Sequence, residues 1–127
     1  MVRYKPTAYQ CMLLFLLAIQ EAERRLGKSL RLVRLPRATL RRLWIRQRLS
    51  EDFLAEVEEW LLSAGWALVD AGSGFAAIKT AAVKNWPRLS ANNLSSELEK
   101  VQSGRFKFDE LEMSVREADD DSEDANE

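Results

Sequence analysis

The chain has 127 residues, of which 46% are hydrophobic and 31% charged, a balance typical of one globular domain with an appendage. It contains no histidine and a single cysteine, Cys11, which excludes a disulfide within one chain and a thiolate zinc site. The net charge of -1 is a cancellation. Residues 1–50 carry 12 basic and 2 acidic side chains, residues 51–100 carry 4 and 8, and residues 101–127 carry 3 and 10.

The first predicted element is a helix over residues 7–26, because it contains no proline or glycine and Gly27 follows it as a C-terminal cap. Its first half is apolar nearly all round, so we expect that half at the centre of the core. The apolar run at residues 11–19 is much shorter than the roughly 20 residues that span a bilayer. We therefore expect a cytoplasmic protein with no membrane segment.

A short strand is predicted over residues 29–35, with Leu30 and Leu32 facing inward together with Val33 or Leu35. Pro36 ends the strand and suits the first turn of a second helix, predicted over residues 37–47. The residues expected on the inner face of that helix are Leu40, Leu43, Trp44 and Gln47.

Ser50 is a predicted N-cap for a third helix, which Gly65 ends. The residues of this helix with core-facing spacing are Phe53, Val57, Trp60, Leu61 and Ala64. Residues 66–70 and 75–80, separated by a glycine-rich turn, indicate a β-hairpin.

An irregular connection at residues 85–88 leads to a fourth helix from Ser90 to Gly104, and a further helical piece is predicted at 109–116. The last eleven residues, 117–127, hold seven acids and no large apolar group, so we expect them to be disordered. The predicted domains are residues 1–104, a short extension at 105–116 and an acidic tail at 117–127. The fold class is mainly α with a small β-hairpin.

This order of elements resembles the winged helix-turn-helix superfamily over roughly residues 7–80. The residues that carry the resemblance are Leu40, Leu43 and Trp44, the break at 48–50, the helix from Phe53 to Gly65, and the turn Gly72, Ser73 and Gly74. The resemblance implies a helix-turn-helix made by the second and third helices, a wing made by the hairpin, and DNA binding.

The third helix departs from that family's pattern, in which it enters the major groove. Its outer face holds five acids and no base: Glu51, Asp52, Glu56, Glu58 and Glu59. Because affinity for nucleic acid depends on neutralising phosphates, this face does not suit a recognition helix.

The basic surface lies in the preceding strand and helix. The predicted phosphate contacts are Arg31, Arg34, Arg37, Arg41, Arg42, Arg46, Arg48 and, beyond the wing, Lys79. Guanidinium groups bind phosphate oxygens in a bidentate manner and keep their charge. The alternative is that these arginines pair with glutamates of the third helix or with the tail.

The sequence favours a non-enzymatic DNA-binding regulator or accessory factor, with no catalytic residues, metal or cofactor. The alternative is a protein–protein adaptor or homodimer that uses the acidic third helix or the tail. The candidate partner-binding residues are Glu56, Glu58, Glu59 and Trp86. The acidic tail is interpreted as a solubilising terminus, a self-inhibitor that competes for the arginines, or a docking segment.

Overall fold

The computed structural model describes the backbone of residues 4–125 as two compact units, one ending at Trp86 and one beginning at Pro87. Both are mainly helical, and the first also contains a three-stranded antiparallel sheet. The division lies earlier than the boundary expected at residue 104, so the fourth helix belongs to the second unit.

Helix α1 is Ala8–Leu26, with the predicted glycine cap at Gly27 in the left-handed region at φ 71°. A capping box begins the helix, because the Thr7 hydroxyl accepts from the Gln10 N–H while the Gln10 side chain accepts from the Thr7 N–H. One face is buried in the core. The expectation that the apolar first half is wholly central is wrong, since Leu13 and Leu17 are 44% and 60% exposed.

Strand β1 is Leu32–Leu35 and helix α2 is Arg37–Leu43. Leu35 is buried, but Leu32 is 60% exposed, so its predicted inward orientation is wrong. The strand alternates sides residue by residue, and Leu35 fixes which side faces the core. Helix α2 ends four residues earlier than predicted, which leaves Gln47 exposed on a turn instead of on a core face.

Helix α3 is Glu51–Ser63, and the hydroxyl of Ser50 caps it by accepting from the Phe53 N–H at 3.2 Å. Val57 and Leu61 are fully buried, as predicted. Trp60 and Ala64 are exposed, so their predicted core positions are wrong. Trp60 contacts only the rim of α1, through Tyr9, and Ala64 is the C-cap that follows the last helical residue.

Strands β2 (Trp66–Asp70) and β3 (Phe75–Lys79) form the predicted hairpin, and the sheet order is β1-β3-β2 with antiparallel pairing throughout. The residues that the sheet contributes to the core are Leu35, Trp66, Leu68, Phe75 and Ala77. Trp66 packs edge-on against Phe15 of α1, with ring centroids 5.3 Å apart. A 3₁₀ helix of six residues, Thr80–Asn85, follows β3, where an irregular connection was expected only from residue 85.

The second unit consists of a 3₁₀ turn at Asn92–Leu94, helix α4 (Ser95–Gln102) and helix α5 (Phe108–Ala125). The expected disorder of residues 117–127 is wrong for 117–125, which continue α5; residues 126 and 127 lie outside the described residues. Burial alone motivated that expectation, but a helix satisfies its backbone hydrogen bonds internally. The acidic first turn of α5 and the Glu112–Arg116 pair, with 2.7 Å between charged atoms, also favour the helix.

Candidate nucleic-acid interface

The chain reverses sharply where α2 ends, and this turn gathers the arginines that follow. The Ile45 N–H donates to the Arg42 carbonyl at 3.4 Å, and the Arg46 N–H donates to the Arg41 carbonyl at 2.9 Å. This is the hydrogen-bond pattern of a Schellman cap, whose left-handed position glycine usually occupies. Here Ile45 occupies it at φ 55°, a conformation that costs a β-branched residue roughly 1–3 kcal/mol.

An open groove of about 650 Å³ lies over this turn. Its lining residues are Tyr4, Lys5, Arg41, Arg42, Ile45, Arg46, Gln47 and Arg48. Five of the eight are cations, and the lining includes no carboxylate. We call this feature the basic groove. Its charge and open shape suit a polyanion that is laid across the surface.

Arg46 has a structural role within the basic groove. Its guanidinium lies over the ring of Phe53, 3.6 Å from the centroid, and its Nη2 donates to the Pro6 carbonyl at 2.8 Å. These two contacts join the N-terminal segment to α3 through the turn, and they bring Lys5 into the groove. Its Nε is buried without a hydrogen-bond partner among the described residues, as is Nε1 of the fully buried Trp44.

The other arginines of the groove are free to bind a ligand. Arg41, Arg42 and Arg48 are exposed, and within the described part of the chain their side chains form no ion pair or hydrogen bond. Three charges are therefore available at the mouth of the groove without the breaking of an internal contact.

Arg37 lies apart from the groove, beside the turn of the hairpin. Its Nη2 contacts the Asp70 carboxylate at 2.8 Å, and its guanidinium carbon is 4.8 Å from the centroid of the Phe75 ring. The Gly72 N–H also donates to the Asp70 carboxylate at 2.9 Å. That hydrogen bond first, and then Arg37, hold the pKa of Asp70 below its ordinary value. Arg37 therefore stabilises the hairpin turn.

Arg31, Arg34 and Lys79 are exposed on the sheet. The Lys79 N–H donates to the Arg31 carbonyl at 2.8 Å, which sets these two residues side by side at the end of β1 and β3. Arg34 is paired in register with Ala76. The eight predicted phosphate contacts thus divide into four groove residues, three sheet residues and the ion-paired Arg37.

The predicted pairing of the arginine cluster with α3 is not observed. Four ion pairs occur between the side chains that the structure describes, and Arg37–Asp70 alone among them includes a residue of the cluster. Glu56, Glu58 and Glu59 are exposed. The acidic face of α3 is therefore a separate surface, as its helical spacing predicted.

Sequence reasoning assigned no binding role to one exposed aromatic pair and to four residues that line the groove, which are Tyr4, Lys5, Ile45 and Gln47. Tyr4 and Lys5 reach the groove through the Arg46–Pro6 contact, and no spacing in the sequence links residues 4 and 5 to residues 41–48. Tyr9 and Trp60 stack edge to face at 4.9 Å while remaining 46% and 44% exposed. The candidate partner residue Trp86 is 45% exposed.

Cys11, the single cysteine, lies in the core next to these elements. It is fully buried, and its Sγ is 3.9 Å from the Pro6 carbonyl. Burial raises the pKa of this thiol, and the nearby Arg46 opposes that rise only in part. A neutral, inaccessible thiol is a packing group, not a nucleophile.

Comparison of the chain with models of known protein families, with curated proteins and with solved structures finds no match. Within residues 4–125, no helix combines the length and apolarity that crossing a bilayer requires. Among the side chains described, those of residues 4–119, no three are grouped as a metal ion would need. The functional assignment therefore depends on the geometry and charge of the surfaces described above.

Proposed function

We propose that the first unit is a winged-helix domain that binds double-stranded DNA through phosphate contacts in the basic groove, as a regulator or accessory factor. The observation that carries the proposal is a groove lined by five cations and no carboxylate, three of whose arginines have no partner among the side chains that the structure describes. The order of helices and strands supports the winged-helix assignment.

DNA engages the end of α2 in this proposal, and α3 does not enter the major groove. The acids on the outer face of α3 repel phosphates, whereas the basic groove attracts them. Arg31, Arg34 and Lys79 on the sheet are secondary contacts to a neighbouring stretch of backbone. Contacts to phosphates fix position and carry little sequence information, so we expect weak sequence preference.

The test is DNA affinity as a function of salt concentration. Lys5, Arg41, Arg42 and Arg48 in the groove offer up to four phosphate contacts and the three sheet residues offer up to three more, so log K should fall against log salt with a slope of roughly -3 to -6. The double variant Arg41→Gln/Arg42→Gln should lower the steepness of that slope by about 2, since each contact contributes about 0.9.

A matched control removes the same charge elsewhere. Arg24 and Arg25 are exposed in the last turn of α1, and neither lines the basic groove, so Arg24→Gln/Arg25→Gln should leave the slope unchanged. The proposal fails if wild-type protein does not bind DNA at about 50 mM salt, or if both double variants lose affinity equally.

A second candidate function is a protein–protein adaptor, and the exposed Tyr9–Trp60 pair favours it. Trp60 lies on α3 one helical turn after Glu56 and directly after Glu59, and exposed tryptophan is enriched among interface hot spots. Trp60→Ala would abolish partner capture without changing DNA affinity if this surface is an adaptor. If Trp60→Ala captures the partner protein as well as the wild type does, the Tyr9–Trp60 surface is not the adaptor interface.

A further inference from the structure

Helix α5 has an apolar stripe that its own unit covers only in part: the Phe106 ring packs edge-on against Phe108, with centroids 4.8 Å apart, and the stripe remains about half-exposed. Phe108, Leu111 and Val115 lie along one face at i, i+3 and i+7, and they are 59%, 45% and 51% exposed. The sequence of α5 contains nine acids and a single base, Arg116. An exposed apolar stripe beside dense negative charge suits a partner surface that is apolar opposite the stripe and positively charged opposite the acids.

The first unit has such a surface next to the basic groove. A second open groove, of about 400 Å³, lies along the exposed face of α1. Its lining residues are Tyr4, Pro6, Gln10, Leu13, Leu14, Leu17 and Ile45. We call it the apolar groove. Apart from Gln10 and the Tyr4 hydroxyl, its side chains are hydrocarbon or aromatic.

The two grooves are continuous, because Tyr4 and Ile45 line both of them. The strained backbone of Ile45 places its side chain at this junction, where it is half-exposed. Leu13 and Leu17 are one helical turn apart on α1, a spacing that receives the side chains of another helix between them. The two grooves together, which we call the joint groove, therefore form a hydrophobic docking surface for a helix, with cations at one end.

We infer that the joint groove binds helix α5 of a second copy of this chain. The stripe of Phe108, Leu111 and Val115 packs on Leu13 and Leu17, and the acids of α5 face the cations of the basic groove. Complementarity of both charge and hydrophobicity identifies this occupant. DNA and α5 then compete for the same arginines, a regulatory consequence that rests on the proposed function.

Two full-length variants test the docking by complementation. Arg41→Gln/Arg42→Gln disables the groove and keeps α5, whereas Leu111→Gln/Val115→Gln disables the stripe and keeps the groove. Glutamine is a good helix former, so α5 should persist in the second variant, and far-UV circular dichroism checks this. Met113→Gln is the matched control, because Met113 is 66% exposed on α5 and lies outside the stripe.

Light scattering measures the association. At low salt the wild type and Met113→Gln should exceed the monomer mass of 14.6 kDa, and both should return to it at high salt. Each double variant alone should remain at the monomer mass. A mixture of the two should associate, since one supplies the intact α5 and the other the intact groove.

Three results overturn the docking: a wild type that stays at 14.6 kDa, a stripe variant that associates like the wild type, or a mixture that stays monomeric. DNA affinity separates this inference from the proposed function. The stripe variant should bind DNA about tenfold more tightly than the wild type if α5 competes. Equal affinity overturns the competition, whereas association without any DNA binding overturns the proposed function and leaves the docking in place.

Discussion

Replacement of Arg46 by alanine is expected to destabilise the first unit by about 2 kcal/mol, far more than replacement of its neighbours. Loss of the stack on Phe53 costs about 0.5–2 kcal/mol. Loss of the charged hydrogen bond to Pro6 costs about 1.5–3 kcal/mol. Removal of the buried Nε, which has no hydrogen-bond partner among the described residues, offsets this loss by about 1–3 kcal/mol. The net decrease in the free energy of unfolding is therefore about 2 kcal/mol.

The assay is urea and thermal unfolding followed by tryptophan fluorescence, to which the buried Trp44 and Trp66 contribute. For a unit of this size, about 2 kcal/mol corresponds to a fall in Tm of roughly 8–15 °C. Arg46→Lys should lose nearly as much, because an ammonium group has neither the planar surface that stacks nor the forked donors.

Arg42→Ala is the matched control within the same groove. Arg42 is exposed and its side chain has no hydrogen bond or ion pair in the described residues, so its loss should change stability by less than about 0.5 kcal/mol. It should nevertheless weaken DNA binding. Equal unfolding midpoints for Arg46→Ala and Arg42→Ala would refute the conclusion that Arg46 stabilises the unit by joining the N-terminal segment to α3.

Three further predictions concern the core and the hairpin. Iodoacetamide should modify Cys11 only as fast as the unit unfolds, because burial keeps the thiol inaccessible and raises its pKa. Mass spectrometry measures the labelling, and complete labelling of the native protein would contradict the burial of Cys11. Because folding lowers the pKa of Asp70, its carboxylate stabilises the folded unit at pH values above the ordinary pKa of 3.8. This stabilisation is lost as the pH falls through the lower pKa that Asp70 has in the folded state. Thermal unfolding of Asp70→Asn should therefore depend less on pH in the acid range, and an unchanged pH profile would count against the Gly72–Asp70 contact. Gly74→Ala should destabilise the unit by about 1–3 kcal/mol, as measured by urea unfolding, because the added Cβ would lie 3.3 Å from the Leu35 carbonyl oxygen. An unchanged free energy of unfolding would show that the backbone shifts there without cost.

Local signals predicted most of the first unit because they act within a few residues. Gly27 ends α1 and Ser50 begins α3, and each was recognisable from its residue type at a helix end. The hairpin followed from alternating apolar residues around a glycine-rich turn. Such elements depend little on what packs against them.

The end of α2 was not predictable because its stop signal is unconventional. A sequence reading looks for glycine or asparagine at a left-handed C-terminal position, and Ile45 gives no such indication. Tertiary contacts of Arg46 with Pro6 and Phe53 hold the turn in place. The same contacts bring Lys5 to the groove, so the site's composition could only be known from the fold.

The spacing of apolar residues along a helix also did not predict which of them are exposed to solvent. An apolar arc predicts which side of a helix faces inward, but the width of the buried strip depends on the neighbouring elements. Leu13, Leu17 and Trp60 all lie on apolar arcs and are all substantially exposed. These exceptions mark the surfaces that we assign to partners, because apolar groups at solvent-facing positions weaken solubility without adding to the core.

The proposed competition between α5 and DNA leads to a prediction about salt dependence. Exposed charges further apart than about 8 Å are largely screened at physiological ionic strength, so α5 can oppose DNA only by direct contact with the groove. Salt weakens that contact as well as the DNA contact. Wild-type protein should therefore show a shallower slope of log K against log salt than Leu111→Gln/Val115→Gln, because added salt also releases the competing helix. Identical slopes, with DNA binding intact in both proteins, would mean that α5 never occupies the groove.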